Sequence, residues 1–267
     1  VRTYKSLREL DVDFDADPYT PRIQRDTITE ETDVVVVGTG WAGMSTAAYL
    51  NKQGIENYRM LDKAGDFGGT WYWNRYPGCM CDVEAYTYLP LLEEVGYMPT
   101  KKYAHAQEIF EYAQLLGRTF DMYPHALFHT EATSMEWHED RKRWLISTDR
   151  GDELWSRFVV ICGGVLHKAK LPGIPGIEKF TGPKFHTSRW DYDYTGPDLE
   201  HLADKRIGII GTGATAVQCV PHLARAARQL MVFQRTPSSV DVRDNRPTDP
   251  DWAAGLTPGW QRRRIEN

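Results

Sequence analysis

Long apolar runs are missing from this sequence. Nothing in the 267 residues approaches the ~18 consecutive apolar residues of a membrane span, which argues against a membrane partner. The N-terminus carries Arg2, Lys5 and Arg8 among acids and has no apolar stretch of the signal-peptide kind. A basic excess is also missing: 32 Lys and Arg face 37 Asp and Glu, so the net charge of −5 disfavours a nucleic-acid partner. Cysteine is scarce. Of Cys79, Cys81, Cys162 and Cys219, only the first two are close, and a C-x-C pair without nearby His or further Cys makes a poor zinc site, so no metal is expected. Cys162 and Cys219 lie in apolar runs and read as small core residues, which fits a reducing, cytoplasmic setting. Aromatics, by contrast, are plentiful. Trp71, Tyr72, Trp73 and Tyr76 fall within six positions, a cluster suited to a pocket wall.

Residues 1–31 are polar and interrupted by Pro18 and Pro21, and read as an arm draped over the core. At Asp33 the character changes. Val34 to Val37 is a β-branched run of the kind buried on both faces of a parallel sheet. A glycine turn follows, then a helix over Ala42 to Leu50 and a strand over Tyr58 to Leu61, completing a βαβ unit. Residues 105–120 carry helical spacing at Ile109, Tyr112, Ala113, Leu116 and Phe120. Phe128 to Ser134, Trp144 to Thr148 and Phe158 to Cys162 read as strands. A Pro- and Gly-rich connection runs from Leu171 to Gly196, and a second βαβ unit begins at Arg206. Beyond Asn245 the chain is polar and broken by prolines, with no finishing strand. The fold class is α/β, built on two Rossmann-like dinucleotide-binding domains, with the second domain and the closing part of the first incomplete.

Each unit carries a glycine motif. In Gly38-Thr39-Gly40-Trp41-Ala42-Gly43, Gly38 permits the tight turn, Gly40 lets backbone approach a pyrophosphate, and Gly43 lets helix and strand pack closely. Asp62, nineteen residues past Gly43, ends the second strand, where a carboxylate accepts from a ribose 2′-hydroxyl and repels a 2′-phosphate. That suits FAD or NAD, whereas the alternative is a solvated turn aspartate; Lys63 is counted with the same site. The second motif, Gly211-Thr212-Gly213-Ala214-Thr215-Ala216, follows the strand Ile207 to Ile210, with Ala216 in the third glycine's place. Its following strand, Leu230 to Phe233, ends in Gln234-Arg235-Thr236 with no carboxylate. Arg235 offers a guanidinium fork, and Thr236 a hydroxyl, to an adenosine 2′-phosphate, unless Arg235 is simply a surface charge at a strand end. Two sites of opposite preference imply hydride transfer from NADPH to FAD.

Between the two lies Gly69, Trp71, Tyr76, Pro77, Gly78 and Asp82, in a spacing that resembles the type I Baeyer–Villiger monooxygenases. Phe180, Gly182, His186, Trp190 and Asp191 resemble a second fingerprint of that family, and Trp190 separates it from the flavin-containing N- and S-oxygenating monooxygenases. The resemblance covers the chain from about Asp33 onward. It implies residues 32–170 as the first part of an FAD-binding domain and 171–267 as a linker with part of an NADP-binding domain. It implies FAD and NADPH as cofactors, with a ketone and O2 as substrates. A C4a-peroxyflavin would attack the ketone carbonyl and the adduct would rearrange to an ester or lactone, in a pocket that excludes water. By the same resemblance Gly69, Thr70, Trp71, Tyr72, Trp73, Asp82, Val83 and Tyr88 touch FAD, and Ala132 meets its adenine. Met80, Cys81 and Asp82 approach the nicotinamide, and Thr212, Gly213, Ala214, Thr215, Ala216, Val217 and Gln218 cradle the NADP phosphates. Asp82 is the catalytic candidate, paired with an arginine that supports the developing oxyanion; the alternative is a turn or cap aspartate. His186 is a linker residue coupled to the nicotinamide site, and a lone histidine at such a junction is also well explained as structural. Family members run for about as much chain again, so the catalytic arginine is expected outside these residues. If the 267 residues were the entire molecule, no turnover and poor solubility would follow from exposed sheet faces. Two rivals remain: an N- or S-oxygenase, and a dinucleotide-binding scaffold without chemistry.

Overall fold

The computed structural model describes residues 16–266, so the first fifteen residues of the arm lie outside the described residues. A six-stranded sheet has the order β3-β2-β1-β6-β5-β4, and β7 and β8 form a separate pair. The strands are β1 (Thr29–Val37), β2 (Tyr58–Leu61), β3 (Ala126–Leu127), β4 (Ala132–His138), β5 (Arg143–Thr148), β6 (Glu153–Ile161), β7 (Arg206–Ile210) and β8 (Gln229–Phe233). The helices are α1 (Trp41–Lys52), α2 (Thr70–Trp73), α3 (Ala85–Tyr88), α4 (Leu92–Val95), α5 (Ala106–Thr119), α6 (Tyr192–Thr195), α7 (Ala214–Ala226), α8 (Pro250–Ala254) and α9 (Trp260–Glu266).

Strand β1 is the spine. It pairs in parallel with β2 and β6, and β2 pairs in parallel with β3. The other half of the sheet is an antiparallel meander, β4-β5-β6. The valine run explains the central position. Val34 and Val36 pack under α1 and α5 with Met44, Ala47, Ala48, Met60 and Leu116. Val35 points the other way, onto Leu61, Ile146 and Leu154. A strand whose successive side chains are all apolar can be covered on both faces, and this one is. Helix α5 turns its stripe of Ile109, Tyr112, Ala113 and Leu116 inward, as its spacing requires.

Of the expected strand over Phe128 to Ser134 only the end, from Ala132, is strand, because β3 stops at Leu127. His129 sits at a φ of 51°, its N–H donates to the Ala64 carbonyl, and the ladder resumes only at Ala132. The arm also ends earlier than residue 31, because Thr29 already pairs with Glu153 in the sheet.

The second unit, β7-α7-β8, is parallel like the first. Its Ile209, Ala216, Cys219 and Leu223 share one apolar cluster with Trp71, Tyr76, Cys79, Ile109 and Trp190, so the two units are fused through a common core. The outer strand faces are bare: Phe158, Ile161, Ile210 and Phe233 are exposed. The segment beyond Asn245, expected to be unfinished, docks back on the first unit. Gln261 is buried there, donates to the carbonyls of Leu89 and Tyr86 (2.6 and 3.2 Å) and accepts from the Leu92 N–H at 3.0 Å. Among the described residues no helix is long and apolar enough to cross a membrane, and no group of His, Cys, Asp or Glu could hold a metal ion.

Candidate active site

Parallel strands with a glycine turn at their carboxyl ends leave a crevice there. Here it is a cavity of about 380 Å³, lined where β1, β2 and β6 finish. Gly38 and Gly40 come from the first turn, and Asp62 and Lys63 from the second. Cys162, Gly163 and Gly164 come from the third, with Leu166 and His167 just after. Gly69, Thr70, Trp71 and Trp73 form one wall, Thr130, Glu131 and Ala132 another, and Trp41 and Tyr88 also line it.

The carboxylate of Asp62 is fixed before any ligand arrives. One oxygen accepts from the Thr39 N–H (2.7 Å) and hydroxyl (2.8 Å), and the other accepts from the Ala64 N–H at 2.9 Å. Each carboxylate oxygen offers two lone pairs, so capacity remains for a hydroxyl donor. Helix α1 starts at Gly40 with no side-chain cap, so its first-turn N–H groups keep their positive end open toward the cavity. Gly43 allows the close packing expected of it: a Cβ there would lie 1.9 Å from the Gly38 carbonyl oxygen. A second backbone contact is equally tight. A Cβ on Gly69, at a φ of 53°, would lie 2.7 Å from the Cα of Gly40. The two glycine turns meet backbone to backbone.

The aromatic wall is organised by polar tips. Trp71 Nε1 donates to the Tyr88 hydroxyl at 2.9 Å, and the rings meet edge to face. Trp73 has two cations over its ring: the Arg189 guanidinium is 4.0 Å from its centre and Lys63 Nζ is 5.8 Å away. Arg189 is buried and also donates to the carbonyl of His167 at 3.1 Å, so it spans two cavity residues from behind. Burial, reinforced by Lys63, lowers the His167 pKa.

Of the site residues expected from sequence, the cavity gathers Gly38, Gly40, Asp62, Lys63, Gly69, Thr70, Trp71, Trp73, Tyr88 and Ala132. Tyr72 is not among them. Its hydroxyl turns away to Asp17 and Thr20. Met80, Cys81, Asp82 and Val83 lie outside this cavity, on the segment facing α7. Gln218, expected at the phosphates, is committed elsewhere. Its amide donates to the Met80 carbonyl (2.9 Å) and accepts from Met80 N–H (3.3 Å) and the Tyr76 hydroxyl (2.9 Å). Ala216 is buried against the core, as the third glycine's position demands, and Val217 is exposed. Thr212 donates to the Thr236 carbonyl at 3.2 Å and accepts from Gln234, while Gly213 opens α7 without a side-chain cap, ahead of Ala214 and Thr215. Arg235 is exposed at the end of β8. His186 is used locally: Nδ1 accepts from the Ser188 N–H at 3.1 Å and caps a short turn, and burial lowers its pKa. Asp82 is exposed and meets an arginine of this chain: Arg243 donates to its carbonyl at 2.9 Å and its carboxylate at 3.3 Å.

Sequence reasoning missed Trp41, Thr130, Glu131 and the stretch from Cys162 to His167. The last had a signal, a Gly-Gly pair closing an apolar strand.

Two Rossmann-like units on one core, the first with an acid-tipped cavity and the second with Gln234 in the acid's place and Arg235 one residue beyond, define a dinucleotide-binding protein of the two-site kind. Comparison with known proteins narrows this. The chain belongs to the flavin-binding monooxygenase-like family, whose pattern matches residues 31–250. It is 55% identical over 271 residues to neopentalenolactone D synthase of Streptomyces avermitilis, covering 100% of this chain and 46% of that protein. It is 58% identical over 247 residues to a Baeyer-Villiger monooxygenase of Stachybotrys chlorohalonatus, covering 91% of this chain and 40% of the relative. Among solved structures it superposes on the polycyclic ketone monooxygenase from Thermothelomyces thermophila with a TM-score of 0.86 at 41% identity, covering 96% of this chain and 43% of that one. A steroid monooxygenase bound to NADP gives 0.78 at 38% identity, covering 88% and 44%. The chain thus spans about half the length of the relatives it matches.

Proposed function

We propose that this chain forms the cofactor-binding part of an FAD- and NADPH-dependent monooxygenase that uses O2 to insert an oxygen atom beside a ketone carbonyl, giving an ester or lactone. The observation that carries the reading is the anchored Asp62 carboxylate at the mouth of a cavity that one glycine-capped helix opens into, paired with a second unit that has neutral Gln234 in the acid's place and Arg235 next to it. A bare ribose fits the first and a 2′-phosphorylated one the second. The names of relatives support the chemistry, since a Baeyer-Villiger monooxygenase and a polycyclic ketone monooxygenase stand among them.

The residues present suit FAD. When bound, FAD supplies the redox-active ring that takes hydride from NADPH and activates dioxygen. Asp62 would hold the ribose, the first turn of α1 would face the pyrophosphate, and Gly40 and Gly69 admit it without side chains in the way. Trp71, Trp73 and Tyr88 would exclude water, strengthening every electrostatic contact inside. Thr212 to Thr215 would face the phosphates of NADPH, and Arg235 its 2′-phosphate. Met80 and Cys81 would approach the nicotinamide on backbone held by Gln218. Asp82 would hold the negative charge that orients a guanidinium near the reacting atoms. The partners are a small ketone and O2, not nucleic acid. The four free cysteines fit a reducing cytoplasm.

The test is direct. The full-length protein should be yellow, bleach with NADPH in preference to NADH, and consume NADPH when a cyclic or polycyclic ketone is added, releasing ester. A colourless protein, a preference for NADH, or oxygenation of an amine or thioether without ester formation would each refute the assignment.

A further inference from the structure

The N-terminal arm precedes residues 31–250, the span that the family pattern covers. Its described part nevertheless reaches the back of the cavity. The Asp17 side chain is only 8% exposed and gathers donors from three directions. One oxygen accepts from the Tyr72 hydroxyl, from Thr20 Oγ1 at 2.9 Å and from His129 Nε2 at 3.0 Å. The other accepts from the N–H groups of Tyr19 and Thr20 at 2.9 and 3.3 Å. Nδ1 of His129 accepts from the Ile23 N–H at 3.4 Å, which assigns the ring proton to Nε2, where it points at Asp17.

Each partner backs a different part of the cavity lining. Tyr72 belongs to α2, whose Thr70, Trp71 and Trp73 form one wall. His129 is joined to Thr130, Glu131 and Ala132, the opposite wall. Between them passes the loop that follows Asp62. Gly65 leaves the room for the cluster: a Cβ there would lie 1.9 Å from Thr20 Oγ1 and 2.7 Å from both His129 Nε2 and the Tyr72 hydroxyl. Tyr19 adds a second tie, donating to the Trp73 carbonyl at 3.1 Å and lying beneath the Arg75 guanidinium at 4.1 Å. A four-residue helix has too few backbone bonds to hold its own place, so its position is set by what packs behind it.

We propose that the arm is a positioning element of the flavin cavity, with Asp17 as the clamp that joins Tyr72 behind one wall to His129 behind the other and so fixes their separation around FAD. Asp17, Tyr72 and His129 are positioning residues, since none of them lines the cavity. The inference rests on the assignment of FAD to that cavity.

The experiment is equilibrium dialysis of the full-length holoprotein against FAD-free buffer, with visible spectra of the bound flavin, for wild type, Asp17→Asn, Tyr72→Phe and the double variant. Asp17→Asn should weaken FAD binding about 10-fold or more and shift the flavin absorption band, as the walls lose their shared acceptor. Tyr72→Phe removes one hydroxyl with the ring kept, and should weaken binding in the same direction. The double variant should bind no more weakly than Asp17→Asn alone, because both changes remove the same contact. Retention of FAD affinity and spectrum by both single variants, or additive losses in the double one, would overturn the proposal. If Asp17→Asn does not fold, Tyr72→Phe alone decides: wild-type affinity and spectrum overturn the clamp. A wild type that takes up no FAD sinks the cofactor assignment and this inference with it, whereas a wild type that binds FAD beside unaffected variants sinks the inference alone.

Discussion

Replacing Asp152 by Asn should cost a few kcal/mol at neutral pH and progressively less in acid. The Asp152 side chain is fully buried and holds Arg25 in a two-pronged pair, with Nη1 at 2.7 Å and Nη2 at 2.5 Å. It also accepts from the Ile28 N–H at 2.9 Å and the Thr148 hydroxyl at 2.6 Å. Burial opposes its ionisation, but these donors outweigh burial and bring its pKa from 3.8 to about 2. A carboxylate whose folded pKa is depressed contributes stability above the unfolded value and loses it as pH falls through the folded one. The difference corresponds to about 2 kcal/mol at pH 7, with roughly half gone by pH 3. Asparagine removes the charge and leaves Arg25 facing an amide. Breaking a fully buried pair costs about 3–5 kcal/mol, and because Arg25 keeps some contact with water, a loss of about 2–3 kcal/mol is expected. For a chain of this size that is roughly 5–10 °C in Tm. Urea unfolding of wild type and Asp152→Asn at intervals between pH 7 and pH 3 measures both the gap and its slope. Equal stabilities at pH 7, or a gap that stays constant down to pH 3, would refute the reasoning.

Gly43→Ala should destabilise by about 1–3 kcal/mol and lower flavin content, as thermal unfolding and the absorption ratio of the purified protein will show, because its Cβ has no room beside the Gly38 carbonyl. Arg235→Ala should raise the KM for NADPH about 10- to 100-fold and leave that for NADH unchanged in steady-state assays, as expected for loss of one charge-assisted contact to a phosphate. Gln218→Ala should cost about 1–3 kcal/mol and expose the 76–80 segment to limited proteolysis, since the Met80 N–H and carbonyl both lose their partner.

What the sequence announced and what it hid divide by range. The valine strand, the glycine turns and Asp62 all act within one βαβ unit, where residue type and spacing carry the physics, and each stands where that physics requires. The third lip of the cavity, from Cys162 to His167, comes from a strand 124 positions beyond β1 in register, since Val37 pairs with Ile161, and no local pattern reveals that neighbour. Tyr72 and Gln218 were misplaced for a related reason. Each sits inside a motif whose backbone is where it should be, yet its side chain is claimed by a residue 55 or 138 positions away. The expected strand over 128–134 begins only at Ala132, since the chain at His129 is left-handed, a conformation uncommon for a residue with a side chain, and its N–H goes to Ala64. Arg243 beside Asp82 had no sequence signal at all.

The contact of Gly40 with Gly69 limits how this protein can be altered. At Gly69, where the backbone is left-handed and a Cβ would press on the Gly40 main chain, every one of the other nineteen amino acids adds bulk at the seam, so mutational libraries aimed at the rim will return mostly unfolded or flavin-free clones from this codon, whereas Gly40 leaves a Cβ an ordinary contact distance. Diversity in what the cavity accepts has to be sought at residues whose side chains, and not their backbones, form its surface.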